Sequence, residues 1–205
     1  GPNIVLVMAD TLRADVTDPV SEPGLTPNLA ALASQGVRFR NARAHSSWTR
    51  PSVATVFSGR YPSSHGSMFK MDALSDELDT IAEQLHAGGY RTHGIVTNFV
   101  TAPYFNFQQG FDDYVYLEPR HLLGADEVTS KLRLHGLLTS LHRALAPDAV
   151  HPGTQYRSGS EVTDAALRWL QGYRARASAT DRYFLFVQYM DPHDPYFAQI
   201  GRAHV

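Results

Sequence analysis

Residues 3–9 read NIVLVMA, and residue 10 is an aspartate. An unbroken apolar run of this length suits a strand buried on both faces, as in a parallel sheet covered by helices. Asp10 then stands at the carboxyl end of that strand. In open α/β sheets this is the end at which ligands bind. A carboxylate there can hold a hard or borderline divalent cation through oxygen. It can equally cap a helix or pair with Arg13, and residues 8–15 (MADTLRAD) leave both readings open.

Outward from that strand, the sequence alternates between helical and extended patterns. Leu25–Gly36 reads as a helix, with Thr26 as N-cap, Pro27 in the first turn and Leu29, Leu32 and Ala33 on one face. Val37–Ala44 (VRFRNARA) alternates and predicts a strand. Pro51–Ser58 predicts a short helix ended by Gly59. Thr80–Ala87 predicts a helix with a Thr80/Glu83 capping box. Tyr90–Thr97 reads as a strand interrupted by Gly94. Leu122–Leu145 predicts a helix broken near Gly136, and Ala149–Ser158 a turn-rich connection. Ser160–Tyr173 is a further helix, Tyr183–Tyr189 (YFLFVQY) a buried strand, and Met190–Tyr196 the loop beyond it. Strands separated by helices in this order imply an α/β layer fold with a largely parallel sheet and helices on both faces.

The composition narrows the possible functions. The chain has 205 residues, 43% hydrophobic and 19% charged, enough for a packed core. Its 18 Lys and Arg against 20 Asp and Glu give a net charge of -2, which points to neither nucleic acid nor an anionic surface as a global partner. The absence of cysteine excludes disulfides, thiolate metal sites and a cysteine nucleophile. The uncharged stretch Thr92–Gln109 carries Asn98, Pro103 and Asn106 and is no bilayer span. No basic-then-apolar leader heads the sequence, which opens Gly1-Pro2. Neither a P-loop, a G-x-G-x-x-G turn, a G-x-S-x-G elbow nor an H-E-x-x-H helix occurs. Polar residues at strand ends are therefore the places to look for chemistry.

Two further segments stand out. In His45–Gly66 (HSSWTRPSVATVFSGRYPSSHG), Thr49 lies just before Pro51, where a helix starts. A hydroxyl there meets free backbone N–H groups and the positive end of the helix dipole, which suits attack on an oxyanion ester. Threonine does not ionise unaided at neutral pH, so a metal or base must activate it. The alternative is that Thr49 is only an N-cap. In Met190–Tyr196 (MDPHDPY), His193 sits in a loop stiffened by Pro192 and Pro195. It can donate to an ester oxygen or act as general acid, or simply belong to a turn.

Together these segments resemble the sulfatase family of the alkaline phosphatase superfamily. Asp10-Thr11-Leu12-Arg13 is similar to that family's first metal-binding strand end. Thr26-Pro27-Asn28-Leu29 with Gly36-Val37-Arg38-Phe39 resembles its next helix and strand. Thr49-Arg50-Pro51-Ser52, with Ser58-Gly59-Arg60-Tyr61-Pro62 and His65-Gly66, looks like its nucleophile signature. Thr80-Ile81-Ala82-Glu83 and Gly89-Tyr90-Arg91-Thr92, Gly110-Phe111-Asp112, and Pro192-His193-Asp194-Pro195-Tyr196 match in order.

The resemblance implies an alkaline-phosphatase-like fold and an ester hydrolase or transferase. Thr49 would be nucleophile and metal ligand, Asp10 a metal ligand, His193 a catalytic group. Lys70 and Asn98 would be candidates for substrate contact, each with an ordinary surface or turn role as alternative. The cofactor would be a divalent cation (Ca, Zn, Mn or Mg). The substrate would be a small-molecule, lipid or glycan ester, and the location periplasmic, extracellular or membrane-associated.

The departures bear on the chemistry. True sulfatases place a formylglycine-forming Cys or Ser where Thr49 stands. Val53 occupies the place of their arginine and Thr11 that of their second aspartate. Thr97, Asn98 and Phe99 replace their lysine-and-histidine element. Threonine nucleophiles occur in phosphoester-directed relatives, so a phosphoester is expected over a sulfate ester. The alternative is a catalytically inactive relative that binds a ligand or partner. A third reading is a purely structural module. The family's remaining metal ligands come from an Asp-His pair further along. Residues 1–205 are therefore expected to be the N-terminal portion of one catalytic domain, truncated before its C-terminal part and inactive alone.

Overall fold

The structure is a computed structural model, and it describes residues 1–17, 24, 26–119, 133–145 and 156–193. Four parallel strands form one sheet in the order β1-β4-β2-β3: β1 Ile4–Ala9, β2 Tyr90–Val96, β3 Asp113–Tyr116 and β4 Arg182–Tyr189. The helices are α1 Pro27–Gln35, α2 Thr49–Ser58, α3 Pro62–His65, α4 Ile81–Ala87, α5 Arg133–Leu145 and α6 Gly159–Arg174. No described helix is long and apolar enough to cross a membrane.

The period-2 geometry of β4 sends its side chains to two separate cores. Phe184 and Phe186 pack with Val53, Ala54 and Phe57 of α2 and Ala82 of α4. Tyr183, Leu185 and Val187 pack on the other face with Val162 and Ala166 of α6. Helices thus cover both faces of the centre, as the alternating order predicts. Gly94 is required within β2, because a Cβ there would lie 2.4 Å from the Tyr114 ring. The α4 capping box is formed: Glu83 N–H donates to Thr80 Oγ1 (3.2 Å), and Thr80 N–H donates to Glu83 Oε2 (2.8 Å).

The structure corrects four expectations. β1 is buried on one face only; Val5 and Val7 are 50% and 59% exposed, because β1 is the sheet's edge and α6 covers β2 and β4. Val37–Ala44 is no strand but an exposed connection, with Val37 and Phe39 81% and 78% exposed. Its alternation finds no strand to pair with among the described residues. The fourth strand is instead Asp113–Tyr116, too short to stand out in the sequence. Lastly, α5 runs through Gly136 without a break. The rest of the expected Leu122–Leu145 helix, most of the Ala149–Ser158 connection and residues from Asp194 onward lie outside the described residues.

Candidate active site at the carboxyl edge of the sheet

The four strands run parallel, so their carboxyl ends share one edge. Asp10 follows β1 there, its N–H donating to Tyr189 O at the end of β4 (2.9 Å). α2 begins at the same edge. Its N-cap is Trp48, extended and without a side-chain cap, so the helix's first N–H groups have no side-chain acceptor from that position. Thr49 is therefore the first helical residue rather than the N-cap. Its hydroxyl instead donates to Asp10 Oδ2 at 2.8 Å, across 39 residues of sequence. The structure brings these two residues together.

Two buried amides point at the same oxygen. Asn98 Nδ2 and Gln188 Nε2 each lie 3.4 Å from Asp10 Oδ2. Their orientations are fixed from behind. Asn98 Oδ1 accepts from Val100 N–H (3.1 Å), which turns its NH2 toward Asp10, and Gln188 places Oε1 2.7 Å from the Thr101 hydroxyl with its NH2 toward Asp10. Gln188 and Thr101 are fully buried. Asp10 Oδ2 thus faces three neutral donors, while Oδ1 has no partner among the described residues. The Asn98 side chain is 5% exposed and turned onto Asp10.

Gln188 escaped the sequence reading because it is one amide inside the apolar run YFLFVQY. Its position, two residues before the strand's carboxyl-side loop, is the signal that could have found it.

Thr11 adopts φ +53°, left-handed for a residue other than glycine. A non-glycine residue there costs about 1–2 kcal/mol. Its hydroxyl donates to Pro192 O (2.9 Å), tying the turn after Asp10 to the loop that carries His193. His193 is half-buried, with its ring edge-on to Tyr156 at 5.2 Å. The same loop is held from the other side by Asp191, whose Oδ1 accepts from Gly159 N–H (2.8 Å) at the start of α6. A Cβ at Gly159 would come within 2.6 Å of that carboxylate. Arg13, the alternative partner for Asp10, pairs with Asp15 instead (3.0 Å).

Lys70 is exposed, on a loop anchored to α2. Arg50, the residue after Thr49, is fully buried and donates to Phe69 O (3.3 Å), to Asp72 O and to Val100 O (3.0 Å). Its guanidinium lies 3.6 Å from the centre of the Phe105 ring. Burial pushes its pKa down, against the pull of Asp72. One buried cation thus ties the loops of Lys70 and Asn98 to Thr49's helix. His65 is also buried, which lowers its pKa. Its Nδ1 accepts from Ser67 N–H, leaving Nε2–H for Thr55 Oγ1 (3.1 Å). The second half of the nucleophile signature is therefore a structural brace.

The donor set bears on a metal. Asp10 Oδ1 and Thr49 Oγ1 are hard oxygen ligands of the kind that suits a divalent cation. They fit as part of a coordination set. Among the described residues no cluster of three His, Cys, Asp or Glu stands ready to complete it.

Comparison with known proteins agrees with this architecture. The chain is 24% identical over 206 residues to an uncharacterized sulfatase of Escherichia coli (strain K12), covering 95% of this chain and 39% of that protein. It is 30% identical over 119 residues to phosphoglycerol transferase I of Xanthomonas campestris, covering 54% of this chain and 17% of that one. An alkaline phosphatase superfamily protein from Vibrio parahaemolyticus superposes with a TM-score of 0.67 at 20% identity, covering 100% of this chain and 44% of that structure. The chain therefore spans less than half the length of these relatives. The sulfatase family model matches residues 2–201, so the chain belongs to the sulfatase family.

Proposed function

We propose that residues 1–205 are the N-terminal portion of one sulfatase-fold catalytic domain that hydrolyses or transfers phosphate or sulfate esters, with Thr49 as nucleophile. A phosphoester is favoured over a sulfate ester. The observation that carries the reading is the 2.8 Å bond from Thr49 Oγ1 to Asp10 Oδ2 at an uncapped helix N-terminus. The hydroxyl proton is held at Asp10, which leaves an oxygen lone pair free for attack. The first N–H groups of α2 suit the non-bridging oxygens of the ester. As the Oγ–P bond forms and the ester P–O bond breaks, the threonine proton passes to Asp10 Oδ2. His193 supplies a proton to the departing oxygen or steadies a non-bridging one. Water or an acceptor hydroxyl then cleaves the phosphothreonine. A divalent cation held by Asp10 and Thr49 would supply Lewis-acid charge that lowers the nucleophile's pKa. Lys70, on its tethered loop, is the side chain offered for substrate contact; Asn98 acts by orienting Asp10.

The rest of the domain has a place to dock. Among the described residues β1 has an unpaired edge beside Asp10, with Val5 and Val7 50% and 59% exposed on one face. Leu29, Leu32, Val37 and Phe39 are 44%, 68%, 81% and 78% exposed. In this reading the remaining C-terminal part covers this surface and completes the ligand set, and the 205-residue fragment is inactive alone. The substrate in this reading is a small-molecule, lipid or glycan ester, and the family resemblance favours a periplasmic, extracellular or membrane-associated location.

In the full-length protein, with p-nitrophenyl phosphate and sulfate as probes, Thr49→Ala abolishes turnover, a loss of more than about a thousandfold. The fold persists, since one hydrogen bond worth about 1 kcal/mol is removed. Acid-quenched wild type carries phosphate on Thr49 by mass spectrometry. Wild-type turnover in the variant sinks the assignment. One observation favours the second reading, a non-catalytic ligand-binding relative: Val53, where the family carries arginine, is wholly buried in the core. A full-length wild type that binds no divalent cation would support it.

A further inference from the structure

Arg50 goes against local preference in several ways. It sits in the first turn of α2, where its charge opposes the positive end of the helix dipole. It is fully buried, which is costly for a cation without a paired carboxylate. Its acceptors are instead the backbone carbonyls of Val100, Phe69 and Asp72, and its Nη2 has no hydrogen-bond partner among the described residues. The Asp72 carboxylate is engaged elsewhere, accepting from Met68 N–H (2.9 Å) and Phe69 N–H (2.6 Å). Residues that contradict their surroundings in this way concentrate at functional sites.

The bonds of Arg50 lead back to the candidate site. Its Nε donates to Val100 O (3.0 Å). Val100 N–H in turn donates to Asn98 Oδ1 (3.1 Å), which caps the short helical turn Phe99–Thr101. Asn98 Nδ2 reaches Asp10 Oδ2 (3.4 Å), and the Thr49 hydroxyl donates to that same oxygen (2.8 Å). Thr49 is the residue before Arg50, so the path closes: Thr49, Arg50, Val100, Asn98, Asp10 and back to Thr49. Sliding the start of α2 against the carboxyl end of β1 must break a bond of this ring. The guanidinium lies 3.6 Å from the centre of the Phe105 ring, which fixes the direction of Nε–H as well.

We propose that Arg50 is a positioning residue of the candidate active site: by holding Val100 it keeps Asn98 on Asp10 and so sets the place of the Thr49 hydroxyl against its acceptor. It acts through Asn98 and Asp10 rather than on the substrate. The consequence for turnover rests on the reaction proposed above; the ring itself does not. Its other arm, to Phe69 O and Asp72 O, holds the loop of Lys70. The ring should therefore be felt in kcat and the loop in KM.

The test uses the full-length protein, with p-nitrophenyl phosphate as probe, and compares wild type, Arg50→Lys, Asn98→Ala and the double variant. Lysine keeps the charge but not the planar fork that reaches Val100 and the Lys70 loop together. In Arg50→Lys kcat should fall by about 10- to 100-fold, the usual effect of removing an outer support. Val100 N–H should exchange with solvent at least about tenfold faster, while the amides of β4 keep their wild-type rates. Because both residues act through one ring, the double variant should turn over within about twofold of Asn98→Ala alone. Wild-type kcat in Arg50→Lys overturns the proposal whatever KM does, since Arg50 then serves only the Lys70 loop. So do additive effects in the double variant, unchanged exchange at Val100, or faster exchange throughout β4. Should lysine prevent folding, Arg50→Gln, which keeps an amide donor, is read in the same way; failure of both to fold assigns Arg50 to the core and also overturns it. A wild type without turnover fails the catalytic reading alone, and exchange at Val100 still decides the ring.

Discussion

Two aspartates at opposite ends of the sheet are held differently: Asp112, at the amino end, meets a protein cation, and Asp10, at the carboxyl end, meets none among the described residues. Arg91 pairs with Asp112 (3.4 Å) and Asp113 (2.8 Å), and the Arg182 guanidinium lies over the Tyr90 ring at 4.7 Å. Burial works against the Asp112 charge, yet the Thr92 N–H and the Arg91 guanidinium hold its carboxyl below the usual range. Asp10, at the opposite end, faces a hydroxyl and two amides and no protein cation among the described residues. The difference makes Asp10 the carboxylate at which the proposed cation can be tested.

The strongest way to break that comparison is Asp10→Asn. It keeps the shape and one carbonyl acceptor for Thr49 but removes the charge. Cation binding by the full-length protein, read by calorimetric titration, should vanish, and turnover should fall by about a thousandfold or more. Unchanged cation affinity would mean that Asp10 is not a ligand.

The amino end has its own test, in acid. His93 is 5% exposed, stacked on Trp169 at 4.6 Å, and its Nδ1 finds no hydrogen-bond partner. Burial depresses its pKa to about 4, with Asp113 pulling the other way. Between that value and the unfolded value of about 6.5 the unfolded chain binds the extra proton, so stability rises with pH across this window and is lost on acidification. The full effect is about 3 kcal/mol. His93→Gln should flatten the slope of melting temperature against pH between about 4 and 6.5. A slope as steep as the wild type's would assign the acid sensitivity elsewhere.

Much of this was legible in the sequence, for reasons that differ by residue. The strand β1 and Asp10 beyond it follow from an apolar run ended by a carboxylate. The α4 capping box follows from Thr80 and Glu83 at the right spacing, and both its bonds form. Those signals are local. What the sequence hides depends on neighbours. VRFRNARA has a strand's alternation, but no described strand pairs with it, and period alone does not supply a partner. DYVY is a strand only because β2 offers a register, His93 beside Asp113 through Val96 beside Tyr116. The roles of Gln188 and Thr101 rest on a contact across 87 residues that no periodicity encodes.

Gln188→Leu sharpens the comparison at the carboxyl edge by removing a neutral donor without touching charge. It strips one amide from Asp10 and removes one partner of the buried Thr101 hydroxyl, which keeps Asn98 O as acceptor at 3.1 Å, a loss of about 1 kcal/mol in stability. If the amide serves only the fold, cation affinity is untouched. If it orients Asp10, affinity falls by about 10- to 100-fold, the usual effect of removing an outer hydrogen bond to a metal ligand. Gln188→Asn, too short to reach both partners, should behave as the leucine variant does.

The smallest expected change is the most discriminating about Thr11. Its left-handed backbone costs about 1–2 kcal/mol, which glycine would relieve. Thr11→Gly also deletes the hydroxyl bond to Pro192 O, worth about 1 kcal/mol, and loosens the unfolded chain by a similar amount. These contributions nearly cancel, so the melting temperature should move by no more than a few degrees. The site should respond nonetheless, because that hydroxyl is the described link between the turn after Asp10 and the backbone just before His193. Turnover should therefore fall severalfold at constant stability. A variant that gains stability and keeps full turnover would show that the tether does not position His193, and that the left-handed turn serves only to bring Asp10 to Thr49.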